Sequence, residues 1–423
     1  VSSAAVDVDV EIRAPAGLVA WSVEVGDPGD LLSWLPAGKA FGFLRGGDGL
    51  VGWGEAARIV TRSARDGDSL ATHVRELLGS MTVRDDVGLP GSGPVAIASL
   101  VFDPAAAGSV VVVPKVVLGR RDGRSWLTLV TPPGAVQVPA LRRRPTAALA
   151  PVRARVAAAV PSEEGYADAV ATAVDAMRAG RLDKVVLARA VDVVAAEPLD
   201  PRAVAARLAE RFPACYTYVC DGLVGASPEL LIRRMGRHAE SLVLAGTVAR
   251  GRTPEEDEAL ARELTASPKD AHEHRLAVES VRSVLGALAA EVDGDPAPQL
   301  LRLANVSHLA TRLDAWLAAP APDALALATT LHPTAAVGGT PREDALALIR
   351  ALEAAPRGRY AGPVGWVDAH GDGEFALALR CAQVDGATAR LWAGAGIVAE
   401  SKPAAEVAET TAKLDAVLTA MLG

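Results

Sequence analysis

The 423-residue sequence is poor in lysine, cysteine and aromatic residues. Lysine occurs only at Lys39, Lys115, Lys184, Lys269, Lys402 and Lys413, which leaves 43 − 6 = 37 arginines. Arginine is the default cation here, so each lysine stands out: when buried, lysine can give up its proton and arginine cannot. The three cysteines, Cys215, Cys220 and Cys381, make neither an even framework nor a CxxC pair. That excludes a disulfide scaffold and reads as small core residues in a reducing compartment. Net positive charge is also missing: 43 Lys+Arg against 51 Asp+Glu gives −8 at pH 7. Such a balance repels phosphate backbones and anionic lipid head groups, so no nucleic-acid or membrane partner is expected. No apolar run reaches the ~18 residues of a membrane span, and the longest β-like run is broken by Pro114 and Lys115. Asp7, Asp9 and Glu11 stand where a secretory signal would be basic. The expected location is therefore cytoplasmic. HExxH and internal repeats are absent.

Half of the residues are hydrophobic and 22% are charged, too apolar for a disordered chain and ample for a large core. At ~150 residues per domain the length allows up to three domains, or one large α+β enzyme. Residues 1–133 alternate β-like runs with Gly, Pro and Asp, as in FGFLRGGDGLVGWGEA from Phe41, and read as antiparallel strands. Residues 134–161, rich in Pro, Ala and Arg with RRR at 142–144, read as an exposed connection; the competing reading is a poorly patterned helix over 147–160. Residues 162–423 carry the sharper signals. Ser162 caps a helix ending at Gly180, a strand starts at Lys184, and Asp221-Gly222 marks a hairpin. Thr253 and Glu256 form a capping box, Pro268 interrupts the helix it opens, and a second helix is expected from about Asp270 to Ala290.

That second helix carries chemistry. Asp270, Glu273, Ala277, Val281, Val284 and Leu288 fall in one sector about 80° wide, with Arg275, Glu279 and Arg282 opposite. Two carboxylates on an inward face repel each other and pay for desolvation, which a hard divalent cation would relieve. Acids in a first turn are also favoured by the helix dipole, and on pattern alone that ordinary reading prevails. The imidazoles of His272 and His274 project about 200° apart, which excludes a shared zinc. Glu406 and Glu409 repeat the spacing of three, with Lys413 four residues after Glu409. By spacing alone this is a surface ion pair. GAGIV at Gly394–Val398 lacks the third glycine of a nucleotide loop and reads as a turn with exposed N–H groups. Lys184 is either an edge residue or, given lysine's rarity, something more. Glu229 is either a buried acid or a polar strand residue. Arg380, read mid-strand in EFALALRCAQV on the face of Glu374, suits an Arg–Glu pair or an anion clamp.

In chain order stand KVVLAR from Lys184, GASPELLIR from Gly225, LAGT from Leu244, SPKDAHEH from Ser267, LHPTAAVGGTPR from Leu331, RYAGPVGW from Arg359, ALRCA from Ala378 and GAGIVAES from Gly394 followed by AEVAETTAKL. Together these blocks resemble the chorismate-utilising enzymes, most closely their isochorismate synthase branch, over about residues 160–423. The resemblance implies an α+β fold, a large antiparallel β-sandwich flanked by helices, with the site in a cleft between its halves. It implies Mg²⁺ as cofactor, with Glu273 and Glu409 as direct ligands and Asp270 and Glu406 beside them. Chorismate is the implied substrate, held by Thr247, His308, Val337, Tyr360, Arg380, Lys413 and the Gly394, Ala395 and Gly396 backbone. Lys184 matches the base that activates water for attack at C2, a role that needs an uncharged amine, and Glu229 the acid that protonates the departing C4 hydroxyl. Salicylate synthases, which go on to eliminate pyruvate, share these residues and are the alternative. Anthranilate synthases usually carry glutamine at the Lys184 position, and aminodeoxychorismate synthases a lysine at the Ala245 position; both fit less well, as does a binding protein without catalysis. A monomer without a glutaminase subunit is implied, serving menaquinone or siderophore biosynthesis.

Overall fold

A computed structural model describes residues 8–64, 70–134 and 152–422. Two large sheets, of eleven and thirteen strands, account for the strand pairings, with helices packed around them. Among the described residues one pairing is parallel, between Val19–Val25 and Thr82–Asp85; the rest are antiparallel. Both sheets draw on both ends of the chain. Strand Ala40–Arg45 lies beside Tyr216–Cys220 in the thirteen-stranded sheet, and Val95–Ser99 beside Pro363–Asp368 in the eleven-stranded one. The described strands between residues 8 and 131 are thus hydrogen-bonded into the same sheets as the rest.

Local chemistry accounts for many of the boundaries. Asp221 and Gly222 both take positive φ, 52° and 80°, as a tight hairpin requires, and join Tyr216–Cys220 to Leu223–Ser227. Ser162 accepts the Gly165 N–H at the head of Glu163–Arg178. Thr253 does the same for Glu256 at the head of Pro254–Ala266. Ser267 ends that helix and caps the next, Pro268–Leu288, whose first-turn proline lacks only an N–H the helix does not need. Large side chains such as Trp126, Trp366, Tyr218 and Phe375 are fully buried in the core. The three cysteines are buried and free.

Three expectations are corrected. Residues 135–151, including the arginines at 142–144, lie outside the described residues, but the end of the supposed connection is a strand. Ala154–Val160 pairs antiparallel with Ala190–Ala195 at the edge of the thirteen-stranded sheet. Its alanines are exposed on both faces, so no period of two marks it as a strand. EFALALRCAQV is not one strand: Gly373–Leu377 belongs to the eleven-stranded sheet and Cys381–Asp385 to the thirteen-stranded one. Residues 378–380 make the crossing. GAGIV is not a turn, since Gly394–Gly396 lie inside strand Thr388–Ile397, paired with Val186–Ala188.

Candidate active site

The site forms where the chain changes sheets. Ser227 ends a strand of the thirteen-stranded sheet and Leu230 begins one of the eleven-stranded sheet, leaving Glu229 at the crossing. Residues 378–380 cross the other way beside it. The two crossings are tied together: Leu377 donates its N–H to Glu229 O (3.2 Å), and Ala226 to Arg380 O (3.2 Å). Arg380 takes a left-handed backbone conformation, φ 49°, as does Ala361 (φ 61°), whose N–H donates to Ala378 O. Side-chain-bearing residues rarely adopt this region, and such strain gathers at functional sites. Glu374 is not Arg380's partner, because it is held by Arg121 (2.7 Å) and Arg233 (3.1 Å).

Most of the expected residues line one cleft of about 710 Å³, counting its open mouth. That is ample for a small dianion. Glu229, Thr247 and His308 face it from one side, Gly394, Gly396 and Lys413 from another, with Val337, Tyr360 and Arg380 completing the wall. Glu273 and Glu409 reach it; Asp270 and Glu406 do not line it. Ala395 and Lys184 are not part of the wall. Ala395 is buried in its strand. Lys184 sits one layer back, its side chain 1% exposed and its Nζ 3.2 Å from Glu273 Oε1. That contact is within ion-pair range but lacks hydrogen-bond geometry, so Nζ has no hydrogen-bond partner.

Glycine at 396 explains the GAG signal. A Cβ there would lie 2.0 Å from Glu273 Oε1 and 3.1 Å from Lys184 Cε, so the absent side chain is what admits the carboxylate. Gly246 acts similarly in LAGT. It sits at a register break between Ala245 and Thr247 with φ 75°, close to Asp270, and such a bulge re-aims the following residue. Thr247 then pairs across the ladder with His308, and Thr247 Oγ1 lies 3.0 Å from His308 Nδ1.

The electrostatics divide the cleft. Burial pushes the Glu229 carboxyl up to about 8, with the Leu244 backbone and the charges of Lys184, Lys413 and Arg380 pulling the other way. Glu229 therefore carries its proton at neutral pH. Burial, then the charge of Arg380, holds His308 well below its ordinary value and keeps it neutral. Arg380 Nη2 lies 3.2 Å from His308 Nε2, and a guanidinium can only donate. Nε2 is consequently the acceptor and the ring proton is on Nδ1, where Thr247 Oγ1 and the Gly246 backbone receive it. The hydroxyl proton of Thr247 is left for another acceptor.

On the other side three of the four acids meet cations. Glu406 is 2% exposed and bonded to Lys269 Nζ (3.0 Å); Lys413 bonds both Glu409 (2.6 Å) and Gly394 O (2.9 Å). Half of the chain's lysines thus stand on these carboxylates. Asp270 is pushed up by burial and by the charges of Glu273 and Glu409, and Glu406 by burial and by Glu409, so the two distant pairs share one field. The surface reading of the Glu406 and Glu409 helix is overturned. The histidines of HEH diverge: His274 is buried against Ala245 O and Thr311, while His272 contacts Arg275 at the surface.

Residues 45–422 match the family model described as chorismate binding enzyme. The chain belongs to the chorismate-binding enzyme family. Among its relatives, isochorismate synthase DhbC of Bacillus subtilis is 38% identical over 273 residues, 62% of this chain and 69% of that protein. The salicylate biosynthesis isochorismate synthase of Pseudomonas aeruginosa is 41% identical over 287 residues, 66% of this chain and 59% of that one. The structure of MenF, the menaquinone-specific isochorismate synthase of Escherichia coli, superposes with a TM-score of 0.78 at 27% identity, covering 97% of this chain and 96% of that one. The sandwich with its cleft is the fold of this family. Among the described residues no helix is long and apolar enough to cross a membrane.

The residues missed from sequence are Lys269 and Arg357. Lys269 lay within SPKDAHEH and was marked by lysine's rarity. Arg357, 3% exposed in the cleft wall, had no signal beyond its place just before RYAG.

Proposed function

We propose that the cleft isomerises chorismate to isochorismate, with Glu229 as general acid and Lys184 as general base. The observation that carries this reading is Glu229: a buried carboxyl that keeps its proton at neutral pH, in the same cleft as two further carboxylates and an arginine. Water attacks C2 and loses a proton to Lys184. The ring double bonds shift, and the C4 hydroxyl departs as water with the proton of Glu229. One water enters and one leaves, so no redox partner is needed. Lys184 ends with one proton more and Glu229 with one fewer, and both reset by exchange with solvent.

The acids suit Mg²⁺. Their donors are all oxygen, and Asp270 and Glu406 are raised by burial and then by neighbouring carboxylates, whose repulsion a divalent cation relieves. Among the described residues no three such side chains converge as a ready cage. Two carboxylates, Glu273 and Glu409, with waters and an anionic substrate are what Mg²⁺ usually takes. The chemistry supplied by the ion there is neutralisation of a substrate carboxylate. Arg380 and Tyr360 suit the enolpyruvyl carboxylate, and the free proton of Thr247 suits a further substrate oxygen.

Purified protein incubated with chorismate and Mg²⁺ tests the reading. The expected product is isochorismate, with activity lost on chelation and restored by Mg²⁺. Salicylate and pyruvate as main products would assign the lyase reaction, and binding without turnover a non-catalytic role.

A further inference from the structure

Strand Lys184–Ala195 has an incomplete edge. One side pairs with Thr388–Ile397 along most of its length. The other meets Gly339–Thr340 at Lys184 and Val185 and then Ala154–Val160 from Ala190 onward. Between those partners no strand covers the edge, although the reacting amine hangs at its start. Buried edge groups without partners are costly, so something must close the gap.

Two side chains do. Glu353, which caps the end of helix Arg342–Leu352, accepts the Ala188 N–H at 2.8 Å. Arg357 donates from Nη2 to Val186 O (2.7 Å) and from Nη1 to Val337 O (2.8 Å). Its Nε donates to both oxygens of Glu353, at 3.0 and 2.9 Å, and its guanidinium lies 3.9 Å over the Phe102 ring. The pair is almost wholly enclosed, with side chains 2% and 7% exposed. Tyr360 follows three residues later, its N–H on Arg357 O (3.1 Å). Together with the Gly338 carbonyl, this ion pair stands in for a missing strand segment, and it alone carries the tie from the Lys184 strand through Val337 O on to Tyr360.

We propose that Arg357 and Glu353 are positioning residues that fix the Lys184 strand against the Val337 and Tyr360 wall, setting the distance between base and substrate. The proposal rests on the isomerase reading above. A small displacement of the reacting amine lowers turnover more than it weakens binding, because Arg380 and the acid pairs, none of which this ion pair contacts, still hold the substrate.

The test replaces the pair as a unit, Glu353→Leu with Arg357→Met, since exchanging a buried ion pair for apolar side chains often preserves stability whereas removing one partner does not. The expected result is a folded protein whose kcat falls at least about thirtyfold while KM for chorismate stays within about threefold. A kcat within about threefold of the parent, per folded molecule, would overturn the proposal, as would a loss confined to KM. Should the double variant not fold, Arg357→Lys decides on the same split: lysine keeps the charge but cannot span Val186, Val337 and Glu353 together. Failure of the parent protein to turn over chorismate would instead strike the isomerase reading, so the two failures are distinct.

Discussion

Two buried ion pairs flank the same strand and differ in how fully their atoms are partnered. In Arg357–Glu353, Nε, Nη1 and Nη2 all donate, and Glu353 takes a backbone N–H besides. In Lys184–Glu273 the nitrogen lies 3.2 Å from a carboxylate oxygen without a hydrogen bond, and Glu273 faces the cleft. Burial raises the cost of every unmet polar group, so a saturated pair is scaffold and an unmet one is either a defect or a group awaiting a partner. The position of Lys184, behind the acids and across from Glu229's cleft, favours the second. The difference also explains why a chain with 37 arginines keeps lysine here. A guanidinium fork suits saturation, and a single nitrogen that can lose its proton suits reaction.

The sharpest way to break this contrast is Lys184→Met. Turnover is expected to fall by about 10³-fold or more, in the range for loss of a general base, with chorismate still bound in an equilibrium titration. Retained turnover within tenfold would place Lys184 with the scaffold. The next effect is on Glu229. Glu229→Gln is expected to lower kcat by about a hundredfold or more. In the parent, kcat/KM should decline as pH rises through about 8, where Glu229 loses its proton. Stability provides an independent check. The folded state binds this proton more tightly than the unfolded chain, so between the ordinary carboxyl value of 4.5 and about 8 the parent loses stability as pH rises. The loss from this group is at most ~1.4 kcal/mol per pH unit. Glutamine has no such proton, so the melting temperature of the variant should gain on the parent steadily from pH 5 to pH 8. Parallel curves would mean that Glu229 is ionised throughout.

How far the sequence foretells this arrangement depends on where each signal resides. The Asp221-Gly222 hairpin, the Ser162 and Thr253 caps and the inward Glu273 are legible because turn chemistry, capping and helical period act within a few residues. Glu406 is not. The apolar stripe of its own helix lies to one side, and its burial depends on Lys269, 137 residues earlier in the chain. Arg380 reads as a strand residue because nothing local announces that the strand changes sheets at residues 378–380. Arg357 is silent for the same reason, its acceptors Val186 and Val337 being remote in sequence. The resemblance of motifs brought Glu229, Arg380 and both acid pairs to one place before any tertiary contact could.

The smallest expected effect sharpens the contrast within the cleft itself. Arg380, His308 and Thr247 form a hydrogen-bonded chain that ends on the hydroxyl proton of Thr247. If that proton meets the substrate, Thr247→Ser keeps it and should stay within about threefold of the parent. Thr247→Val removes an acceptor for Nδ1–H, leaving the Gly246 backbone, and removes the donor to substrate, so it should raise KM by about tenfold, the scale of one unmet buried hydrogen bond. The chain's direction has its own signature: the ¹⁵N shifts of His308 should report a neutral ring protonated at Nδ1 between pH 6 and 8. A ring protonated at Nε2 would reverse the polarity, point the threonine proton at the histidine and leave the substrate without this donor.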